Sequence, residues 1–162
     1  MIFIGIDPGL RSGAYAALDH HGGYLEAGDI PQEGDRICAK DFKEILLRLL
    51  PKGDTMEVCI ELVHTRPGQG SVSTGRFLRA TGAIEAVCSL TATTPVMYVT
   101  PKEWKKHYGL SANKSDSVVL AKRLWPEAPL NRVKDHGRAE ALLIAEFWRQ
   151  EMGFNAIGEC GK

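Results

Sequence analysis

The 162-residue sequence lacks several things, and each absence narrows what the chain can do. It has no apolar run near the roughly 20 residues that a membrane span requires. Its first residues read as a strand rather than a basic leader, so no secretory signal is expected and a cytoplasmic protein is. The four cysteines, Cys38, Cys59, Cys88 and Cys160, include no pair at CxxC spacing, which argues against a zinc or dithiol redox motif. Cys59 and Cys88 sit in apolar runs and read as buried thiols of a reducing compartment. Net charge is also missing: 20 Lys and Arg balance 20 Asp and Glu, which argues against a nonspecific polyanion binder. There is no internal repeat, low-complexity run or interdomain linker. Residues 1–152 read as one domain and 153–162 as a tail. A hydrophobic content of 44% and a charged content of 25% suit a globular chain with a single core.

The even charge balance hides a local excess. Between 101 and 123 stand Lys102, Lys105, Lys106, Lys114, Lys122 and Arg123, opposed only by Glu103 and Asp116. A patch of this kind matters more for binding a polyanion than the overall sum.

The order of elements follows from periodicity. "IFIGID" (2–7) is a nearly continuous apolar run, the mark of a strand covered on both faces. "SGAYAALD" (12–19) and "GYLEAGDI" (23–30) follow across short turns and complete an antiparallel meander. Residues 31–39 read as loop, and 40–50 as an amphipathic helix with Phe42, Ile45, Leu46 and Leu49 on one face. A strand over 56–62, a helix over 73–90 and a strand over 96–100 come next. Pro101 suits the first turn of a helix over 101–108. Helices over 111–125 and 136–152 finish the chain, with 126–134 as loop. The fold class is α/β: a mixed five-stranded sheet, three antiparallel strands then parallel ones, flanked by helices.

Two of these strands end in a carboxylate. Asp7 closes the first and Glu61 the fourth, and neighbouring strands would bring both to one edge of the sheet. Burying Asp7 demands compensation, either from a cation or from hydrogen bonds in the Pro8-Gly9 turn. The last helix opens with Asp135 and His136, and Glu140 follows beside the apolar run "ALLIA". His136 and Glu140 are four apart and share a helix face. Asp135 can cap that helix or reach the same site from just before it. Acidic side chains converging in this way repel one another unless a cation lies between them. Oxygen ligands with one imidazole suit Mg²⁺ or Mn²⁺, and two such ions can drive in-line displacement at a phosphodiester.

Together these segments resemble the RuvC-like Holliday junction resolvases, which have the RNase H-like fold. The resemblance spans roughly 2–148. "IGIDPGLRSGA" is similar to the family's first strand with its catalytic Asp, here Asp7. "CIELVH" is similar to the strand carrying its catalytic Glu, here Glu61. "VTPKEWKKHYGLSANKSDSV" resembles its basic segment, whose two DNA-contacting lysines correspond to Lys105 and Lys114. "HGRAEALLIA" resembles its closing helix, with Glu140 as the last carboxylate, and its short form is closer to the resolvases of bacteriophages. Position 137 is Gly where the family has its other helix acid, so that role falls to His136, Asp135 or both. His64 stands where bacterial relatives carry an aromatic residue that stacks on a base.

The resemblance implies a structure-selective endonuclease that resolves four-way DNA junctions, and other branched DNA, by symmetric nicks in recombination and repair. It implies Asp7, Glu61, Asp135, His136 and Glu140 around Mg²⁺ or Mn²⁺, two ions per site, with Lys105 assisting catalysis. Lys102, Lys105, Lys114, Arg66 and His64 would contact DNA. It further implies a homodimer in a bacterial or phage-infected cytoplasm. The helix at 73–90, with its small residues Ala80, Gly82, Ala83 and Ala86, is a candidate for that interface and equally one for packing against its own sheet. Two other readings stand beside it. "DPG" also occurs in the phosphate hairpin of actin-like and sugar-kinase ATP-binding proteins, and a junction-binding module without catalysis would use the same basic segment.

Overall fold

The computed structural model describes residues 1–62 and 70–154, apart from the side chain of Lys114. The elements run β1 (Ile2–Asp7), β2 (Ala14–Asp19), β3 (Tyr24–Asp29), β4 (Gln32–Glu33), β5 (Arg36–Ile37), α1 (Ala39–Leu49), β6 (Met56–Glu61), α2 (Ser71–Thr91), β7 (Met97–Val99), α3 (Pro101–His107), α4 (Lys114–Leu124) and α5 (His136–Glu151). The main sheet has the order β3-β2-β1-β6-β7. β1, β2 and β3 are antiparallel, while β6 runs parallel to β1 and β7 parallel to β6. This is the mixed sheet expected from the sequence.

Two details depart from that expectation. The segment read as loop over 31–39 contains a two-stranded hairpin, β4–β5. Its strands of two residues each are too short to register as a periodicity. The segment 126–134 ends in a single 3₁₀ turn, Val133–Asp135, that leads directly into α5.

Strand alternation decides what each face carries. Ile2, Ile4 and Ile6 of β1 and Met56, Val58 and Ile60 of β6 pack into one core with Phe42, Leu46, Ile84 and Val87 of α1 and α2. The intervening residues face α5 on the opposite side, where Cys59 joins Ala139, Ala141, Leu142 and Ala145. By the same alternation Asp7 and Glu61 belong to the α5 face. Gly5 fixes how closely α5 approaches. A Cβ there would lie 2.0 Å from the Ala141 carbonyl oxygen and 2.5 Å from the Ala145 amide nitrogen. The bare backbone of Gly5 and the alanines above it therefore let α5 rest directly on β1. Its N-terminal turn is delivered to the carboxyl end of the strand, where Asp7 stands. Of the expected buried thiols, Cys59 and Cys88 are both in the core, and burial pushes each up to about 12.

The helix expected over 73–90 divides its small residues between two surroundings. Ala80 packs into its own core beside Ile84, whereas Gly82 and Ala86 are exposed with Val72, Leu78 and Leu90. No helix among the described residues is long and apolar enough to cross a membrane.

Candidate active site

β1 and β6 are adjacent and in register, with Ile6 opposite Ile60, so the next residues, Asp7 and Glu61, stand level at the carboxyl ends of parallel strands. In open α/β sheets, that edge is where ligand sites form. There an open cleft of about 740 Å³ is lined by Asp7, Glu61, His136 and Glu140, together with Lys102, Lys105 and Lys106. Four of the five expected acidic and imidazole residues therefore share one cavity with part of the basic segment. Glu61 and Glu140 are buried, whereas Asp7 and His136 are partly exposed.

The carboxylates of Glu61 and Glu140 are each met by an identifiable group. The Trp104 indole Nε1–H donates to Glu61 Oε1 at 2.9 Å, and Trp104 is fully buried. Lys105 Nζ lies 3.0 Å from Glu140 Oε1 as an ion pair. The pair lacks hydrogen-bond direction, and among the described residues the buried Glu140 Oε1 has no other donor. Asp7 lies against the start of α5: a Cβ on Gly137 would come 3.1 Å from Asp7 Oδ2 and 2.5 Å from the Ser12 carbonyl oxygen. There is no room for an acidic side chain at 137, so the vacancy noticed in the sequence has a steric cause.

Asp135 stands elsewhere. Its carboxylate is 1% exposed and does not line the cleft. It accepts from the Arg132 backbone N–H at 2.6 Å and from Arg132 Nε at 2.7 Å. Arg132 also reaches Asp29 at 2.9 Å, and Arg138 Nε donates to Asp29 at 2.7 Å. Although Asp135 precedes α5, its side chain makes no cap bond to that helix. Burial alone would raise the Asp135 carboxyl, but hydrogen bonds from Arg132 outweigh it and hold the group below its ordinary range. The same opposition brings Asp29 down to about 2: burial raises it, and Arg132 and Arg138 lower it further.

Lys102 and Lys105 lie on α3, one turn apart. A capping box fixes the start of α3: the Thr100 hydroxyl accepts from the Glu103 N–H, the Glu103 carboxylate accepts from the Thr100 N–H, and Pro101 takes the first turn. Lys114 is the first residue of α4, after an Asn113 cap. His64 and Arg66 lie outside the described residues.

The donor chemistry fits a hard divalent cation. Three carboxylates and one imidazole are the ligand types that Mg²⁺ and Mn²⁺ accept. A buried carboxylate oxygen facing an ammonium rather than a directed donor is a position already selected for positive charge. Among the described residues, no three His, Cys, Asp or Glu side chains form a closed metal-binding group.

Comparison with known proteins agrees with the topology. Thermus thermophilus RuvC, in a structure described as a complex with Holliday junction substrate, superposes with a TM-score of 0.68. The match covers 95% of this chain and 97% of that one at 19% identity. A second Thermus thermophilus RuvC structure matches with a TM-score of 0.57 at 25% identity, over 95% of this chain and 98% of that one. The fold is thus the RuvC, RNase H-like fold. A protein of Chlamydomonas reinhardtii named Holliday junction resolvase MOC1, chloroplastic, is 31% identical over 124 residues, which is 69% of this chain. The chain spans 13% of the length of that relative. No family model matches the sequence.

Proposed function

We propose that this chain is a divalent-metal-dependent endonuclease that cuts branched DNA, with the four-way Holliday junction as its substrate. The observation that carries the reading is the convergence of Asp7, Glu61, His136 and Glu140 with three lysines in one cleft at the carboxyl edge of the sheet. The RuvC fold and the name of the algal relative support it.

In this reading Asp7, Glu61, Glu140 and His136 hold Mg²⁺ or Mn²⁺, two ions per site. The bound metal supplies Lewis acidity at the scissile phosphate and a source of nucleophilic water. Lys102 and Lys106, exposed at the rim, bind flanking phosphates. Lys105, one turn deeper, stabilises the charge that develops on the phosphate oxygens. Asp135 is left to its arginine partners and holds the approach to α5. His64, Arg66 and Lys114 add further DNA contacts. Two copies joined through the exposed apolar stripe of α2, with Val72, Leu78 and Leu90, would present paired sites to a two-fold junction. The described cysteines are free, in keeping with a cytoplasmic enzyme of a bacterium or phage.

The test combines binding and cleavage. In Ca²⁺ the protein should retain a four-way junction in preference to linear duplex, with flaps intermediate. In Mg²⁺ or Mn²⁺ it should nick the junction. Retention without nicking in either metal would support a binding module instead. Nucleotide-dependent thermal stabilisation without junction binding would favour the ATP-binding alternative.

A further inference from the structure

Trp104 is unusual among the residues of the basic segment. It lies between the exposed Glu103 and the half-buried Lys105, is itself fully buried, and directs its only polar atom at a carboxylate of the cleft. A buried indole N–H needs a partner, and Trp104 finds it in Glu61 Oε1 at 2.9 Å. The chain path explains why. β7 pairs in parallel with β6 so that Val99 stands opposite Glu61. One residue later Thr100 caps α3, and the fourth residue of that helix is Trp104. Hence the helix that follows the strand flanking Glu61 brings a donor to that carboxylate. The same short helix presents Lys105 to Glu140 at 3.0 Å.

We infer that Trp104 is a positioning residue for Glu61, fixing the carboxylate so that it can serve the cleft as a metal ligand. The inference rests on the reading of that cleft as a metal site. A carboxylate hydrogen-bonded through one oxygen loses rotational freedom, and such outer contacts tune metal affinity by 10–100-fold in other proteins. Trp104 touches neither the metal nor the DNA in this view.

The experiment is Mn²⁺ calorimetry on the full chain in a double-mutant cycle. Trp104→Phe should weaken Mn²⁺ binding by roughly 10-fold to 100-fold when Glu61 is present. In the Glu61→Gln background the same change should have little further effect. Because Trp104→Phe also leaves space in the core, a second variant carries benzothienylalanine at 104. It keeps the bicyclic shape and replaces the N–H with sulfur, and it should reproduce the loss while the melting temperature stays near that of the wild type. Wild-type Mn²⁺ affinity in that variant, or an equal loss from Trp104→Phe in both backgrounds, would overturn the positioning role. If Glu61→Gln itself binds Mn²⁺ as tightly as the wild type, the metal reading of the cleft falls, and this inference with it.

Discussion

Lys105 Nζ stands 3.0 Å from Glu140 Oε1, yet among the described residues that buried oxygen has no directed hydrogen bond. The ammonium compensates the charge of the carboxylate without a directed bond. A cation entering the cleft would compete with it for the same oxygen. Lys105→Met should therefore tighten Mn²⁺ binding by roughly fivefold, about 1 kcal/mol, while slowing junction cleavage by roughly 100-fold because the phosphate loses its lysine. Calorimetry and single-turnover cleavage measure the two effects. Weakened Mn²⁺ binding would contradict the competition.

His136 and Asp135 are neighbours in sequence with different surroundings. His136 lines the cleft, whereas Asp135 is held by Arg132. His136→Ala should cut both Mn²⁺ affinity and cleavage, with a melting temperature close to that of the wild type. Asp135→Asn should leave Mn²⁺ affinity within about twofold and lower stability by roughly 1.5–3 kcal/mol, the scale of a hydrogen bond to a charged group. Chemical denaturation beside calorimetry distinguishes them, and the reverse pattern would return Asp135 to the metal site.

Asp29 links Arg132 and Arg138 to the end of β3, and its carboxyl sits at about 2 in the fold, below the ordinary 3.8. A depressed carboxylate contributes stability that is fully present above its unfolded value and is lost as pH falls through the folded one. The contribution should therefore hold at neutral pH and fade between about pH 4 and pH 2. Because Asp29 is 40% exposed, solvent screening leaves it worth about 1 kcal/mol. Melting curves of the wild type and Asp29→Asn should differ at pH 7 and converge towards pH 2.

Gly5 tests the packing that brings α5 to the cleft. In Gly5→Ala the new methyl would meet the Ala141 carbonyl oxygen at 2.0 Å, too close for either backbone to tolerate. Stability should fall by at least about 3 kcal/mol, or the chain should fail to fold. Urea titration measures the change. A near-neutral substitution would mean that α5 does not rest on β1 as described.

Much of this arrangement was legible in the sequence. The apolar run before Asp7 and the one before Glu61 mark buried strands, and the carboxylate closing each one marks a sheet edge. Their adjacency stood only as a condition in the sequence and comes from the parallel pairing of β1 with β6. His136 and Glu140 share a face by spacing alone. The role of Asp135 was not resolvable in one dimension: its arginine partners Arg132 and Arg138 are near in sequence, but Asp29, which ties both to the end of β3, stands 103 and 109 positions from them and meets them only through packing. Trp104 was hidden for a related reason. A tryptophan amid lysines gives no periodic signal on a helix of 7 residues, and its partner Glu61 is 43 positions away. The β4–β5 hairpin escaped because two-residue strands carry no alternation.

The most direct test of the metal-nuclease reading is to map the nicks made on a synthetic four-way junction in Mg²⁺ by the wild type and by Asp7→Asn. The account predicts paired nicks at symmetry-related positions for the wild type, and intact junction for Asp7→Asn although that variant still binds it. Undiminished nicking by Asp7→Asn, or no nicking by the wild type in Mg²⁺ or Mn²⁺, would contradict it.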